Sequence, residues 1–180
     1  MHDLVYEGEV GLGRIIGPIR RPGAILMGAN LRGANLVGAD FTDADVSGAV
    51  LRDGKLTSTT LTRANLARTD LRAATLSRAT LQGANLTDAN LTLATLTGAN
   101  LNGAVLTGAN LNGAILVRSD LSGVSLTGAD LTGAVLTRAC LVDADLTSAK
   151  LSGANMEGAN LAGAKLTGVK GLSTTKGLKK

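Results

Sequence analysis

The sequence predicts an all-β chain wound as a parallel β-helix, a solenoid with one hydrophobic axis. Three observations carry that expectation. The stretch GANLTDANLTLATLTGANLNGAVLTGANLNGAIL, residues 83–116, repeats with a period of five. Its leucines fall at 86, 91, 96, 101, 106, 111 and 116, and an alanine stands two residues before each. The chain of 180 residues has one Tyr, one Phe and no Trp, so aromatic burial cannot dominate its core.

A period of five suits neither regular element. On a continuous helix the leucines would lie about 140° apart and spread around the whole cylinder. On a flat strand successive leucines would alternate faces, because five is odd. A chain that turns a corner at every pentad brings them all to one axis. Successive coils then stack at about the 4.8 Å strand spacing, and backbone groups pair with the coils above and below.

The pentads run from Ala24 to Lys170 without insertion or deletion. With Leu26 as the first centre and Leu166 as the last there are 29, of which 26 are Leu; the others are Phe41, Val46 and Met156. Two residues before the centre, 24 of the 29 are Ala, and the exceptions are Gly54, Thr59, Thr69, Ser119 and Val124. The three remaining positions are mostly Asn, Asp, Thr, Ser, Arg or Gly. Asn and Asp suit corners, because their side chains satisfy turn backbone groups; Asp43 and Asp45 read as such corner residues.

The motif A(N/D)LXX in GANLRGANLVGADF and GANLTDANL closely resembles the pentapeptide repeat family, over roughly four-fifths of the chain. The resemblance implies a right-handed quadrilateral β-helix with four pentads to a coil. Twenty-nine pentads then make about seven coils, a rod of roughly 35 Å at the strand spacing. The period alone would also allow three sides.

Three segments are expected. Residues 1–22 form an N-terminal cap or docking segment, in which Val5, Tyr6, Val10, Leu12, Ile15 and Ile16 supply apolar cover for the first coil, with Pro18 and Pro22 blocking strand extension. Residues 23–170 form the repeat body, and residues 171–180 a short basic tail. Bare coil ends offer unpaired backbone to another chain, so self-association through the ends is a related expectation.

Charge narrows the partners. The formal net charge is +4, but residues 24–170 hold 12 Lys or Arg and 11 Asp or Glu, a net of +1. The body therefore has no large field to steer nucleic acid. Columns twenty residues apart place Arg32, Arg52 and Arg72 on one line and Arg78, Arg118 and Arg138 on another. Both are candidate interaction surfaces, with Asp53 and Asp70 available to neutralise the first. A third line, Thr87, Thr107, Thr127, Thr147 and Thr167, reads as strand-forming residues with stacked hydroxyls bonded to their neighbours. No matching column flanks it, which disfavours ice binding.

Catalytic chemistry is scarce. His2 is the only histidine and Cys140 the only cysteine, which leaves no His-based triad, zinc cluster or internal disulfide within one chain. Gly11-Leu-Gly13-Arg-Ile-Ile-Gly17 has the wrong spacing for a phosphate loop. The start MHDLVYEGEV is acidic and lacks a signal-peptide pattern, and no stretch approaches the roughly 20 apolar residues of a membrane span. A cytoplasmic protein is expected, with no enzyme activity and no cofactor or metal.

The reading of function is a rigid scaffold that presents surface side chains to a protein partner or larger assembly. The family resemblance also implies an alternative, protection of DNA gyrase from inhibitors by mimicry of duplex DNA. Such a mimic needs an acidic exterior, and the body is net +1. A second alternative, nucleic-acid binding through the arginine columns, lacks aromatic stacking residues and a recognition helix.

Overall fold

The computed structural model describes residues 20–177. Val5, Tyr6, Val10, Leu12, Ile15 and Ile16 lie outside the described residues. Within them the pentad dictates one conformation, repeated. The centre is buried, the next two residues form a turn, the residue aligned with Ala24 is buried again, and the fifth pairs with a neighbouring coil. Each pairing is parallel and joins residues twenty apart, as in Asn90 with Asn110 and Thr95 with Ile115. Every fourth pentad therefore stacks on the same line, and the whole is a parallel β-helix built of single-residue pairings.

A count of backbone N–H groups explains the motif letter by letter. In the pentad Asn90–Ala94, the Asn90 N–H donates to Thr69 O at 2.9 Å in the preceding coil. Leu91 and Leu93 donate forward to Asn110 O at 2.7 Å and Asn112 O at 2.9 Å. Ala94 donates back across the turn to Leu91 O at 2.9 Å. The Thr92 N–H is left over, and Asn90 Oδ1 accepts it at 3.1 Å. Backbone donors must be satisfied when burial excludes water, and an Asx side chain can reach the N–H two residues on. The recurrent Asn or Asp before the centre is thus the acceptor for the one donor the ladder cannot use. Asp45 plays this part for Ser47 and Asn155 for Glu157, each at 3.0 Å.

The turn sets a second rule. The residue two after each centre has positive φ, a type II turn signature. Gly fills it in most pentads, for example Gly103 at φ 65°. Elsewhere Asp, Ser, Arg, Ala or Leu stands there, from Arg63 at φ 55° to Asp53 and Ser148 at φ 60°. Asp43 sits in this position at φ 58°, whereas its neighbour Asp45 is an Asx acceptor. The two corner aspartates therefore do different work.

The core is an unbroken stack of leucines and alanines, with Leu56 through Leu151 and the alanines between them essentially inaccessible. Three buried positions carry hydroxyls in place of a methyl group. Thr59 donates to Leu36 O at 2.7 Å, Thr69 to Val46 O at 3.1 Å and Ser119 to Leu116 O at 2.7 Å. None is left unpaired, which removes the main penalty of burying it.

The C-terminal segment closes the last coil on one side. A 3-10 turn, Leu172–Thr174, follows Gly171, whose φ is 81°. Lys176 then pairs with Asn155, twenty-one residues back, so the turn adds one residue and ends the register. Thr175 Oγ1 donates to Leu151 O at 2.8 Å, and Thr174 Oγ1 accepts the Gly153 N–H at 3.0 Å. Beyond it Leu161, Leu166 and Val169 are only partly buried. At the opposite end Ile25 and Met27 are exposed, Met27 by 52%.

Two measurements check this account. Leu96→Ala should cost about 2–5 kcal/mol in chemical denaturation, because a ladder with coils on both sides cannot collapse into the cavity. Asn90→Ala should cost about 1 kcal/mol by orphaning the Thr92 N–H, while Asn90→Asp should cost far less. Equal losses for the two Asn90 variants would refute the donor count.

Candidate functional site

The exterior consists of the residue before each centre and the two after it. The Cα–Cβ bonds at these positions leave the coil, and the twenty-residue register stacks them in columns. The two arginine columns differ sharply in what surrounds them.

Arg32, Arg52 and Arg72 immediately follow their centres. Asp53 lies between the first two, with Arg32 Nη2 at 3.5 Å and Arg52 Nε at 3.8 Å from its Oδ2. Arg72 grips Asp70 with both arms of its guanidinium, Nε to Oδ1 at 2.8 Å and Nη2 to Oδ2 at 2.6 Å. Each arginine of the column thus has an aspartate carboxylate within 4.0 Å, Asp53 being shared by two of them. The Arg52 Nε is the single buried side-chain nitrogen or oxygen without a hydrogen-bond partner among the described residues.

Arg78, Arg118 and Arg138 occupy the left-handed turn position, at φ 58°, 56° and 58°. All three are exposed. None has a carboxylate within 4.0 Å among the described residues. Arg78 and Arg138 lie over the glycine twenty residues on, whereas Arg118 is followed in its column by Arg138. A β-carbon at Gly158 would stand 3.3 Å from Arg138 Cγ, and one at Gly98 would stand 3.9 Å from Arg78 Cγ.

Other pairs were missed by the sequence reading. Arg63 and Asp43 form a bidentate pair, both bonds 2.7 Å. Lys150 reaches Asp130 at 3.2 Å and Lys165 reaches Asp145 at 3.6 Å. Each joins opposite charges twenty residues apart, a spacing that the register makes adjacent and that could have been searched for directly.

The threonine column departs from expectation. Thr87 Oγ1 donates to Asn85 Oδ1 at 2.6 Å, and Thr107 Oγ1 lies 3.1 Å from Ser125 Oγ. At Thr87 the Asx oxygen two residues before takes the hydroxyl, and at Thr107, which follows Val105, the partner is a serine of the adjacent coil rather than the next threonine. Cys140 is half-buried, its Sγ 3.1 Å from Ser122 Oγ. Among the described residues no group of three or more His, Cys, Asp or Glu side chains could hold a metal ion, and no helix is long and apolar enough to cross a membrane.

Several carboxyl groups are held below their ordinary range. Hydrogen bonds from Arg63 and Arg72 lower Asp43 and Asp70, and those from Thr42 and Thr147, side chain and then backbone, lower Asp40 and Asp145. At Asp130 burial pushes upward, but bonds from Thr132 and Lys150 outweigh it.

Pentapeptide repeats, in eight copies, match residues 23–53, 55–92, 89–128, 99–138, 114–152 and 139–170. No curated protein matches the chain. Among solved structures, HetL from the cyanobacterium Nostoc sp. strain PCC 7120, a pentapeptide repeat protein involved in heterocyst differentiation regulation, is 32% identical. That match covers 84% of this chain and 82% of HetL, with a TM-score of 0.49. A pentapeptide repeat protein of the Arabidopsis thaliana thylakoid lumen is 34% identical over 50% of this chain and 63% of its own, with a TM-score of 0.49. QnrB1, a plasmid-mediated fluoroquinolone resistance protein, is 20% identical over 84% of this chain and 81% of its own, with a TM-score of 0.56, a likeness of fold.

Folded-state pKa values below the unfolded carboxylate value of about 3.9 mean stability that is present above that pH and lost as pH falls through it. The thermal midpoint should hold from neutral pH to about 5 and then decline toward pH 2.5. Asp40→Asn with Asp145→Asn keeps both Asx acceptors but removes two titrating groups, so the acid loss should shrink. An unchanged acid slope in the double variant would count against these carboxylates.

Proposed function

Because the chain belongs to the pentapeptide repeat family, whose members fold as right-handed β-helices, we propose that it is a non-enzymatic scaffold, a stiff rod that presents exterior side chains to a protein partner or larger assembly. The observation that carries this reading is the division of labour along the pentads. From Ala29 to Met156 every inward position is buried, and only the exterior columns and the two tips remain for recognition. The twenty-residue register supports four pentads to a coil, hence a quadrilateral section, and 29 pentads then make about seven coils. Arg32, Arg52, Arg72, Arg78, Arg118 and Arg138 are the proposed contact residues, with the unpaired column the stronger of the two. The proposed site of action is the cytoplasm.

Residues 1–22 act as a cap and docking segment, residues 23–170 as the rod, and residues 171–180 as a basic tail. The partial exposure of the inward residues Ala24 and Leu26 supports a cap, since an uncovered first coil leaves apolar surface and strand edges open to another copy.

Gyrase protection is the competing reading. QnrB1 lends it only a shared fold. The near balance of 12 basic and 11 acidic residues over residues 24–170 does not suit a mimic of a polyanion.

A supercoiling assay separates the two. At micromolar concentration the protein should leave quinolone inhibition of gyrase unchanged, and rescue of supercoiling would replace the scaffold reading. Removal of residues 1–22 should cause concentration-dependent association in sedimentation velocity. A truncated chain that stays monomeric with the same thermal midpoint would reject the cap.

A further inference from the structure

We infer that one face of the rod is a docking surface for an acidic amphipathic helix of a partner protein, an assignment that rests on the scaffold reading above and names its surface. The face is formed by the pentads centred on Leu76, Leu96, Leu116 and Leu136, together with the turn residues that lead into them. Three properties converge there.

The first is charge. Between Asp53 and Glu157 no carboxylate occurs on this face: its outward residues are Lys, Ala, Thr, Ser, Arg, Leu, Gly, Ile, Val and Asn. The other three sides each carry acid over the same span, Asp70 and Asp130 on one, Asp120 and Asp143 on the next, Asp88 and Asp145 on the last. Arg78, Arg118 and Arg138 line one edge of the face, exposed and without an ion pair. Elsewhere Arg32, Arg52, Arg63 and Arg72 face an aspartate, whereas Arg68 stands alone without a second unpaired arginine in its column. Asp120 follows Arg118 by two residues but accepts the Ser122 N–H at 2.9 Å and stands in no ion pair.

The second is apolar exposure on the opposite edge. Leu93 is 64% exposed, the most exposed large hydrophobic residue among those described, and Ile115 in the following coil is 39% exposed. Val135 continues the line, half-buried. Leu93 leans along the rod over Gly113, where a β-carbon would stand 2.9 Å from Leu93 Cδ2.

The third is backbone strain. Leu93 has φ 59°, in a position that glycine fills in most pentads and polar residues fill in most others. A bulky apolar side chain in the left-handed region is an outlier, and such outliers gather at functional sites. Core packing gives no reason for it, because the side chain faces outward.

These properties select the occupant. The apolar and arginine edges, as at Ile115 and Arg118, are three residues apart along the chain and so at most about 10 Å apart, within the width of an α-helix. One helical turn rises 5.4 Å and one coil rises about 4.8 Å, so a helix along the rod presents roughly one turn to each coil. Four coils would take about 13 residues, with leucine-like side chains on the Leu93–Ile115–Val135 line and carboxylates toward the arginines. A nucleic acid would use the arginines and leave Leu93 without a partner, and no aromatic side chain on this face offers a base a stacking surface.

The test uses the full chain and a fluorescein-labelled 16-residue peptide of Glu and Leu, with leucines spaced i, i+3, i+4, i+7 and glutamates elsewhere, read by anisotropy. The expected result is saturable binding that weakens with salt. Arg118→Glu with Arg138→Glu should weaken it at least about tenfold, and Leu93→Gly severalfold. Changing Lys150 and Lys165 together to Ser, on other sides of the rod, should leave it intact. All these sites are exposed, so circular dichroism and thermal midpoint serve as fold controls. No saturable binding, binding indifferent to the Arg118 and Arg138 reversal, or tighter binding of oligothymidylate lost in that same variant would each overturn the proposal. Any of these would leave the scaffold reading standing, which falls only on gyrase rescue.

Discussion

The left-handed residue two places after each centre is the constraint on which the remaining structure depends. It reverses the chain tightly enough to return the next alanine N–H to the centre's carbonyl, as in Ala94 to Leu91 at 2.9 Å. Without that reversal the following residues could not leave one line of pairing and enter the next. A non-glycine residue there costs roughly 1–2 kcal/mol in local conformation. That the chain tolerates so many points to a core strong enough to hold them. Each buried leucine contributes about 1.5–3 kcal/mol on its own, and the coils above and below hold the turn in register.

The same geometry explains why polar residues recur beside an apolar core. Four of the five backbone donors in a pentad find carbonyls, and the fifth is met by an Asx oxygen. Where the residue before the centre is Val or Lys, as at Val50 and Lys55, the side chain carries no oxygen to accept that donor. Tolerance at that position gives the rod a surface that can vary from coil to coil while its interior does not.

Variation on that surface carries the functional argument. Repetition makes most columns alike, so a departure stands out against them. The arginines at 32, 52 and 72 are answered by nearby aspartates, and those at 78, 118 and 138 are not. Leucine at 93 breaks the pattern of its column in size, polarity and backbone preference together. A solenoid contacts only its neighbouring coils, so such local departures change the exterior without disturbing the fold.

By itself the sequence determined the β-helical class, the inward leucines and alanines, and the positions of the arginine columns. It could do so because every element follows from one short-range rule repeated without interruption. The corner role of Asn and Asp was also legible, since an Asx side chain acts on a donor only two residues away. Which charges neutralise one another was decided by tertiary structure. Asp43 with Arg63 and Asp130 with Lys150 are twenty residues apart and meet only when coils stack. Rotamer reach then selects Asp53 for both Arg32 and Arg52 while Asp120 turns away from Arg118 to a backbone amide. The exposure of Leu93 beside Ile115 has the same origin, because adjacency between coils is created by the register and has no counterpart along the chain.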